Sequence, residues 1–314
     1  MRFLVYGAGA VGGVVGGLLA VAGHEVALVA RGAHLAALRR DGLRLITPDA
    51  THELRLPAAA DPAELGVHVG DVVLLAVKGP DTEAAVQALQ RVADPQTPIA
   101  CLQNGVANER AVLRRFANTY GICVMLPATH LDPGVVRADC APTPGILDIG
   151  RFPSGTDATA AQISGALRDA GFASEVRPDV MAWKHTKLLM NLGNAVDAVC
   201  ERTPQAQELR KRIREEGERI LTAAGIPFVS WAQDDERRGD LLQVRTDRSG
   251  GSSWQSLTRG TGAIETDYLN GEIVLLARER GLDAPLNERA RRWANLFAAD
   301  GRAPNSLSVA EWYA

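Results

Sequence analysis

Glycine recurs at short intervals near the start of the chain, in the run Gly7-Ala8-Gly9-Ala10-Val11-Gly12 between two apolar segments. This spacing is typical of turns that bind the phosphates of a dinucleotide. Gly7 would form the tight turn, Gly9 would let the backbone approach a pyrophosphate, and Gly12 would let the following helix pack closely on the preceding strand. Amide groups at the start of that helix would face the phosphates. We therefore expect all six residues to contact a cofactor.

The residue that ends the second apolar run bears on which dinucleotide is bound. Chains that prefer NAD usually place Asp or Glu there, where it accepts a hydrogen bond from the ribose 2′-hydroxyl. Here the run ends Val29-Ala30-Arg31, without an acid at its tip. Arg31 can offer a planar guanidinium to a 2′-phosphate, which favours NADP. The alternative is an ordinary solvated arginine at a strand end.

Two further polar residues follow apolar runs directly. Lys78 stands after Val72–Val77, and Asn104 follows Ile99–Leu102 and Gln103. Ligands of open α/β sheets lie beyond the carboxyl ends of the strands, so we expect Lys78 and Asn104 to line one crevice with the glycine turn. Taken singly, the lysine could instead cap a helix or be solvated, and the asparagine could be a turn residue before glycine.

A polar stripe is predicted later in the chain, where Lys184, Lys187, Asn191 and Asn194 follow one another at intervals of three, four and three residues. On one helix they would lie within roughly 80° of each other. The water-facing side of an amphipathic helix is the commoner cause of such a stripe. This one lacks the Glu partners of a solvated helix, and asparagine is a poor helix former on an exposed face, which favours a functional interpretation.

The elements that must position these residues change in character at Pro178. Before it, apolar runs alternate with helical patterns, as in a Rossmann-like doubly wound α/β sheet. After it, helical spacing dominates. We expect an NADP-binding domain over residues 1–177 and an all-α domain over residues 178–314. The pattern predicts a last strand over 173–176, helices over 179–199, 206–224, 241–245, 262–280 and 286–298, and a polar loop over 245–253.

Composition and charge exclude several functional classes. The net charge of −3 leaves no basic surplus for nucleic acid or an acidic membrane surface. Seven glycines among the first 23 residues argue against a signal peptide, and no later stretch reaches the ~20 apolar residues of a spanning helix. The cysteines lack metal-ligand spacing, so we expect reduced thiols, no metal and a cytoplasmic protein. They are Cys101, Cys123, Cys140 and Cys200.

Over nearly its full length the chain resembles the 2-dehydropantoate 2-reductase family, also called ketopantoate reductases. Serine and glutamate stand twelve residues apart, as the family pattern requires. The motifs that carry the resemblance are the glycine pattern extended to Gly13, Lys78, Gln103-Asn104-Gly105, Lys187-Leu188-Leu189-Met190-Asn191, Ser252-Ser253 and Glu265-Thr266-Asp267-Tyr268-Leu269-Asn270-Gly271.

This resemblance implies NADPH-dependent reduction of ketopantoate to pantoate, a step towards pantothenate and coenzyme A, in a cleft between the two domains. Hydride transfer to a carbonyl carbon leaves negative charge on oxygen, which an ammonium can stabilise and protonate. The resemblance gives that role to Lys187, substrate binding to Asn191 and Ser253, contacts near the nicotinamide to Lys78 and Asn104, and to Glu265 a bond to the cofactor ribose and help in holding the substrate or Lys187.

The chain departs from the family pattern at two points. The best-known members have a second asparagine four residues after the first, where this chain has Ala195. Asn194 could replace it in substrate binding, although it would project about 100° away on a continuous helix. Lys184, next to Trp183, is a rival proton donor to Lys187.

Two alternative functions remain at this point. One is the reduction of another 2-oxo acid or related carbonyl compound by an enzyme of the same design. The other is a non-catalytic NADPH-binding sensor, which the presence of Lys187, Asn191, Ser253 and Glu265 disfavours because a sensor needs only the first domain. For the enzyme we expect a small-molecule 2-oxo acid as partner, in a monomer or homodimer.

Overall fold

The chain divides into two packed units in the computed structural model, which describes residues 1–244, 250–260 and 262–314. The first unit contains Met1–Lys184 and the described residues of 231–244. The second contains His185–Ser230 and the described residues from 250 to 314. The first unit is therefore not one continuous segment of the chain, because residues 231–244 belong to it although they follow residues of the second unit.

Apolar runs of the first unit form its strands. They are β1 (Arg2–Tyr6), β2 (Glu25–Val29), β3 (Leu43–Ile46), β4 (Thr51–Leu54), β5 (Ala58–Ala59), β6 (Val72–Leu75), β7 (Ile99–Cys101), β8 (Thr119–Met125), β9 (Ala128–Thr129), β10 (Val135–Ala138), β11 (Cys140–Pro142), β12 (Ile146–Arg151) and β13 (Leu242–Val244). Seven of these described strands make the main sheet, in the order β12-β8-β7-β6-β1-β2-β5. β12 is antiparallel to β8, and the other neighbours are parallel.

The first unit also contains helices. They are α1 (Ala10–Val21), α2 (Gly32–Asp41), α3 (Pro62–Leu65), α4 (Thr82–Gln90), α5 (Asn108–Leu113), α6 (Ala158–Asp169) and α10 (Trp231–Arg238). Within β1, Phe3 and Val5 pack in one core with side chains of α1 and α6, while Leu4 packs in another with side chains of α4 and α5. Successive strand residues thus face opposite layers, as the period of two requires. This confirms the predicted Rossmann-like α/β fold.

Two smaller sheets extend the first unit, in the orders β4-β3-β10-β9 and β11-β13. The second of these corrects the prediction of a helix over 241–245. Leu242–Val244 is a strand that pairs antiparallel with Cys140–Pro142, and residue 245 lies outside the described residues. A partner strand that is remote in the sequence has overridden local helical preference.

The predicted last strand over 173–176 is also corrected. Ala173 and Val176 form only isolated bridges, to Ile146 and Ile149 of β12. Between the two bridges, the amide of Glu175 donates to the Asp148 carboxylate at 2.9 Å. A side chain thus takes the place of one ladder bond.

Helices make up the regular structure described in the second unit, which confirms the predicted all-α character. They are α7 (Val180–Asn191, beginning in the first unit), α8 (Asn194–Val199), α9 (Pro204–Ala223), α11 (Ser252–Thr258), α12 (Asn270–Glu279), α13 (Pro285–Asp300) and α14 (Val309–Tyr313). A 3₁₀ turn, Glu265–Tyr268, precedes α12.

Three predictions for this half of the chain were wrong in detail. The single helix over 179–199 is two helices, because α7 ends at Asn191 and α8 begins at Asn194. The helix over 262–280 is the 3₁₀ turn followed by α12. The polar loop over 245–253 ends within α11, which includes Ser252 and Ser253; residues 245–249 lie outside the described part of the chain.

No helix in the described ranges combines the length and the apolar character that crossing a membrane would need. The four cysteines, all within those ranges, are buried and form no disulfide bond.

Candidate active site

The glycine run forms a turn between β1 and α1. Gly7 has φ +106°, and a Cβ there would lie 2.7 Å from the amide nitrogen of Val77. A Cβ on Gly12 would lie 2.1 Å from the carbonyl oxygen of Gly7 and 3.0 Å from a methyl group of Val5. Close contact between turn, helix and strand therefore requires glycine at both positions.

Gly9 differs because its open side has room for a ligand. A Cβ there would meet nothing nearer than Nδ1 of His130, at 4.0 Å. Gly9 is the N-cap of α1 and supplies no side-chain cap, and the first turn of the helix carries no acid. The amides of Ala10 and Val11 at the start of α1 can therefore face an anion. These features fit the pyrophosphate of a dinucleotide.

His34 of α2 holds this turn from the side. Its Nδ1 accepts a hydrogen bond from the amide of Gly134 at 2.9 Å, and its Nε2 lies 2.7 Å from the carbonyl oxygen of Ala8. The ring must therefore be neutral with its proton on Nε2. Burial lowers the pKa of His34 below 6.5, although the bond to Ala8 opposes the shift. Sequence reasoning did not identify this residue.

Arg31 lies where β2 leads into α2. Its Nη2 is 3.0 Å from a carboxylate oxygen of Asp81, and the two side chains are 73% and 44% exposed. An exposed pair of this kind contributes little stability. The guanidinium can therefore turn to a 2′-phosphate at small cost. The competing carboxylate follows β6 and was not anticipated from the sequence.

Lys78 and Asn104 lie in the turns after β6 and β7, and both are half-buried. The turns are joined by Gln103, whose Nε2 donates to the carbonyl oxygen of Val77 at 2.8 Å. β1 also meets this edge, because Gly7 packs against the backbone of Ala76 and Val77. The structure thus brings the glycine turn, Lys78 and Asn104 together at one edge of the sheet.

Lys184, the rival proton donor, is enclosed in the first unit. Only 3% of the residue is exposed. Its Nζ lies 2.6 Å from Oε1 of Glu109, which is fully buried. The ammonium also donates to the carbonyl oxygens of Gln103 at 2.9 Å and Ile122 at 3.2 Å. Three oxygen atoms surround this nitrogen, an arrangement that suits a structural ion pair better than proton transfer to a substrate.

Asn191 and Asn194 do not share one helix, so the predicted continuous stripe is wrong for Asn194. The chain turns at Leu192 and Gly193, and Nδ2 of Asn194 then lies 3.3 Å from Oδ1 of Asn191. Lys187 and Asn191 are both in α7, four residues apart. Asn191 is 5% exposed, while Lys187 and Asn194 are half-buried.

A buried asparagine stabilises this helix break. Asn270 donates from Nδ2 to the carbonyl oxygen of Leu192 at 3.0 Å and to Oδ1 of Asn287 at 3.0 Å. The carbonyl of Leu192, left without a bond in the next helical turn, is thereby satisfied. The family motif ends with this asparagine and Gly271, so the motif has a role in shaping the segment that carries Asn191 and Asn194.

Ser253 and Glu265 lie in other parts of the second unit. Ser253 is 6% exposed in the first turn of α11, and Glu265 begins the 3₁₀ turn and is half-buried. Glu265 interacts with Arg259: burial lowers the pKa of the guanidinium, and the charge of Glu265 opposes that shift. Arg259 had no sequence signal that would mark it as part of a site.

Within the described residues, no group of three or more His, Cys, Asp or Glu side chains could hold a metal ion. The candidate site residues fall into two sets, one in each unit. The first set includes the glycine turn, whose open side and uncapped helix start fit a pyrophosphate. The second contains an ammonium, amides, a hydroxyl and a carboxylate.

Both halves of the chain match known proteins. Residues 3–154 match the family described as "Ketopantoate reductase PanE/ApbA", and residues 179–295 match its C-terminal family. A 2-dehydropantoate 2-reductase of Halobacterium salinarum is 32% identical over 96% of this chain and 100% of its own length. One from Pyrococcus horikoshii is 29% identical over 91% of this chain and 94% of its own.

Solved structures show the same relationship. A ketopantoate reductase of this family from Ralstonia eutropha has a TM-score of 0.81 at 28% identity, over 96% of this chain and 100% of its own. D-mandelate dehydrogenase with NADH and anilino(oxo)acetate has a TM-score of 0.82 at 20% identity, with the same coverage, and shares the fold. Since its two halves match in order, this chain belongs to the ketopantoate reductase family, as its motifs predicted.

Proposed function

We propose that this enzyme reduces 2-dehydropantoate (ketopantoate) to pantoate with NADPH, in the biosynthesis of pantothenate and coenzyme A. The observation that carries the proposal is the match of both family models, covering residues 3–154 and 179–295 of one chain. A cofactor-binding half alone would serve a sensor. The second matched half adds Lys187, Asn191, Ser253 and Glu265, which a non-catalytic sensor does not need.

The choice of NADP rests on Arg31. The fold alone does not determine the cofactor, since the similar fold of D-mandelate dehydrogenase was solved with NADH. Here β2 is followed by a guanidinium, and no acid stands at the tip of that strand. A 2′-phosphate would compete with Asp81 for Arg31. Both anions can accept two parallel hydrogen bonds from a guanidinium, and the phosphate is the stronger partner because it carries more negative charge.

NADPH, when bound, supplies the hydride. In the first unit the residues Gly7, Ala8, Gly9, Ala10, Val11 and Gly12 would bind the pyrophosphate. Lys78 and Asn104 would hold the nicotinamide end from their two turns. A water-excluding, preorganised arrangement of such donors lowers the barrier because it needs no rearrangement during the reaction.

Residues of the second unit would act on the 2-oxo acid. Lys187 would stabilise the developing negative charge on the ketone oxygen and donate a proton to it. Asn191, Asn194 and Ser253 would hold the substrate through amide and hydroxyl groups. Glu265 would bind the cofactor ribose and assist the catalytic ammonium. The enclosure of Lys184 by Glu109 and two carbonyl groups supports Lys187 as the donor.

A related substrate is the second candidate, and one observation favours it. Ala195 takes the position of the family's second asparagine and is 2% exposed. Asn194 donates towards Asn191 instead of occupying that position. Loss of one amide from a polar pocket changes which 2-oxo acid is bound best, because a site that is built for hydrogen bonding discriminates by its unpaired groups.

Steady-state kinetics with NADPH across a panel of 2-oxo acids tests the substrate. The panel includes ketopantoate, its unbranched analogues and aromatic 2-oxo acids. We expect the highest kcat/KM for ketopantoate. A value that is equal or higher for an unrelated acid would overturn the named substrate and favour the second candidate.

A further inference from the structure

Five polar side chains are buried beneath the turns that carry Lys78 and Asn104. Their exposed fractions lie between 0% and 4%, although burial of a polar group is unfavourable unless it is hydrogen-bonded or paired. They come from α4, the turn after β7, α5 and α7. The five residues are Thr82, Gln103, Asn108, Glu109 and Lys184, and we name them the subturn network.

One part of the network connects the two turns. Nε2 of Gln103 donates to the carbonyl oxygen of Val77 at 2.8 Å and to the hydroxyl of Thr82 at 2.9 Å. That hydroxyl donates to Oδ1 of Asn108 at 2.8 Å. The circuit closes where Nδ2 of Asn108 donates to the carbonyl oxygen of Asn104 at 3.1 Å. Together, these bonds connect Val77, the residue before Lys78, to Asn104 itself.

The ion pair between Lys184 and Glu109 also contacts the backbone of the turn that carries Asn104. Lys184 donates to the carbonyl oxygen of Gln103, the residue before Asn104, and pairs with Glu109 at 2.6 Å. The pair packs against Gly121 of β8, where a Cβ would come within 3.3 Å of Cδ of Lys184 and 3.4 Å of Oε1 of Glu109. The ammonium is therefore confined to one place.

Stability alone does not account for this arrangement. Replacement of a buried ion pair by well-packed apolar side chains is often neutral or stabilising. The hydrogen bonds of this network to the carbonyl oxygens of Val77, Gln103 and Asn104 instead restrict the backbone that they contact, although Oε1 of Gln103 and Oε2 of Glu109 are buried without a hydrogen-bond partner among the described residues. The backbone here belongs to the two turns at the cofactor edge.

We propose that the subturn network acts as a set of positioning residues, which hold the turns of Lys78 and Asn104 in the geometry that receives the nicotinamide end of the cofactor. The inference deepens the proposed function and rests on it for the identity of the cofactor. Lys184 thus serves cofactor binding through the Asn104 turn, whereas the proton comes from Lys187.

The test compares two ligands that share the adenosine 2′-phosphate end. NADPH reaches both ends of the site, whereas 2′,5′-ADP lacks the nicotinamide half. The double variant Lys184→Met with Glu109→Leu removes both charges together. Fluorescence titration should show NADPH binding weakened about tenfold, the effect of roughly one lost hydrogen bond or more, with 2′,5′-ADP binding unchanged.

Two controls separate positioning from general stability. Arg2 and Asp71 form another largely buried ion pair of the first unit, at 2.7 Å; Arg2 is the first residue of β1 and Asp71 directly precedes β6, so the pair lies at the other edge of the sheet. Arg2→Met with Asp71→Leu should leave the ratio of the two affinities unchanged. Thr82→Val should reduce NADPH binding selectively, and Thr82→Ser, which keeps the hydroxyl, should restore it. This last pair still provides the test if the double variant fails to fold.

Equal weakening of both ligands, or unchanged NADPH binding in folded variants, would overturn the positioning role. These affinities do not depend on the substrate. Failure of the proposed reaction, seen as activity on another acid, is therefore distinguishable from failure of this inference.

Discussion

Arg31 is an exposed side chain whose proposed role depends on a single ligand group, the cofactor 2′-phosphate. Its present partner is Asp81, at 3.0 Å. We predict that Arg31→Ala weakens NADPH binding about 10- to 100-fold, the effect of losing charge-assisted hydrogen bonds, and weakens NADH binding far less. Equilibrium titration with each cofactor measures the ratio.

Arg40→Ala is the matched control, because Arg40 is also a well-exposed arginine of this region and its partner is the adjacent Asp41. It should leave both affinities unchanged. Equal losses for NADPH and NADH in Arg31→Ala would refute the 2′-phosphate role.

Single residues also show where sequence reasoning ends. Lys184 and Lys187 have the same side chain and lie three residues apart, so spacing could not separate donor from structural lysine. The distinction depends on the ion pair of Lys184 with Glu109, a buried residue of α5 that is distant in the sequence. The residues after strands were more predictable, since the carboxyl ends of parallel strands must share one edge.

Helix α2 contributes a pH-dependent contact through His34. This residue must stay neutral to accept a hydrogen bond from Gly134 while it donates to Ala8. Its pKa is lowered in the folded protein by burial, so the unfolded chain binds the proton more readily. The free energy of unfolding should therefore decrease as the pH falls below 6.5 and through the folded-state pKa.

We predict that His34→Gln flattens this part of the profile, in urea unfolding measured from about pH 8 down to about pH 5. His52→Gln, in β4, is the control and should keep the wild-type slope. If the free energy of unfolding of His34→Gln falls with pH as steeply as that of the wild type, the loss of stability at low pH has another origin. The interpretation of His34 as a neutral ring would then be wrong.

Elements were predictable where local signals sufficed. The order β1, glycine turn, α1, β2 follows from apolar runs and glycine spacing. The break between α7 and α8 was missed, because the carbonyl of Leu192 finds its partner in Asn270, far along the chain. Strand β13 was mistaken for a helix, because its structure depends on pairing with β11.

At the scale of the whole molecule, the family match covers both halves of the chain, and the proposed chemistry is divided between them. The domain division at residues 177 and 178 stays a prediction. A linear division could not anticipate that residues 231–244 pack with the first unit. Arg237 shows why: it forms a buried ion pair with Asp148 of β12 at 2.7 Å, a contact without local sequence signal.

The central claim is that Lys187 donates the proton in an NADPH-dependent reduction. The most direct test measures kcat and the NADPH dissociation constant for Lys187→Ala. Lys211→Ala is its control, since that lysine is exposed on α9 and pairs only weakly with Glu215 at 3.8 Å. We predict that Lys187→Ala binds NADPH normally with kcat lowered ~10²–10⁴-fold, the contribution of a general acid, and that the control is unaffected. An unchanged kcat in Lys187→Ala would contradict the account.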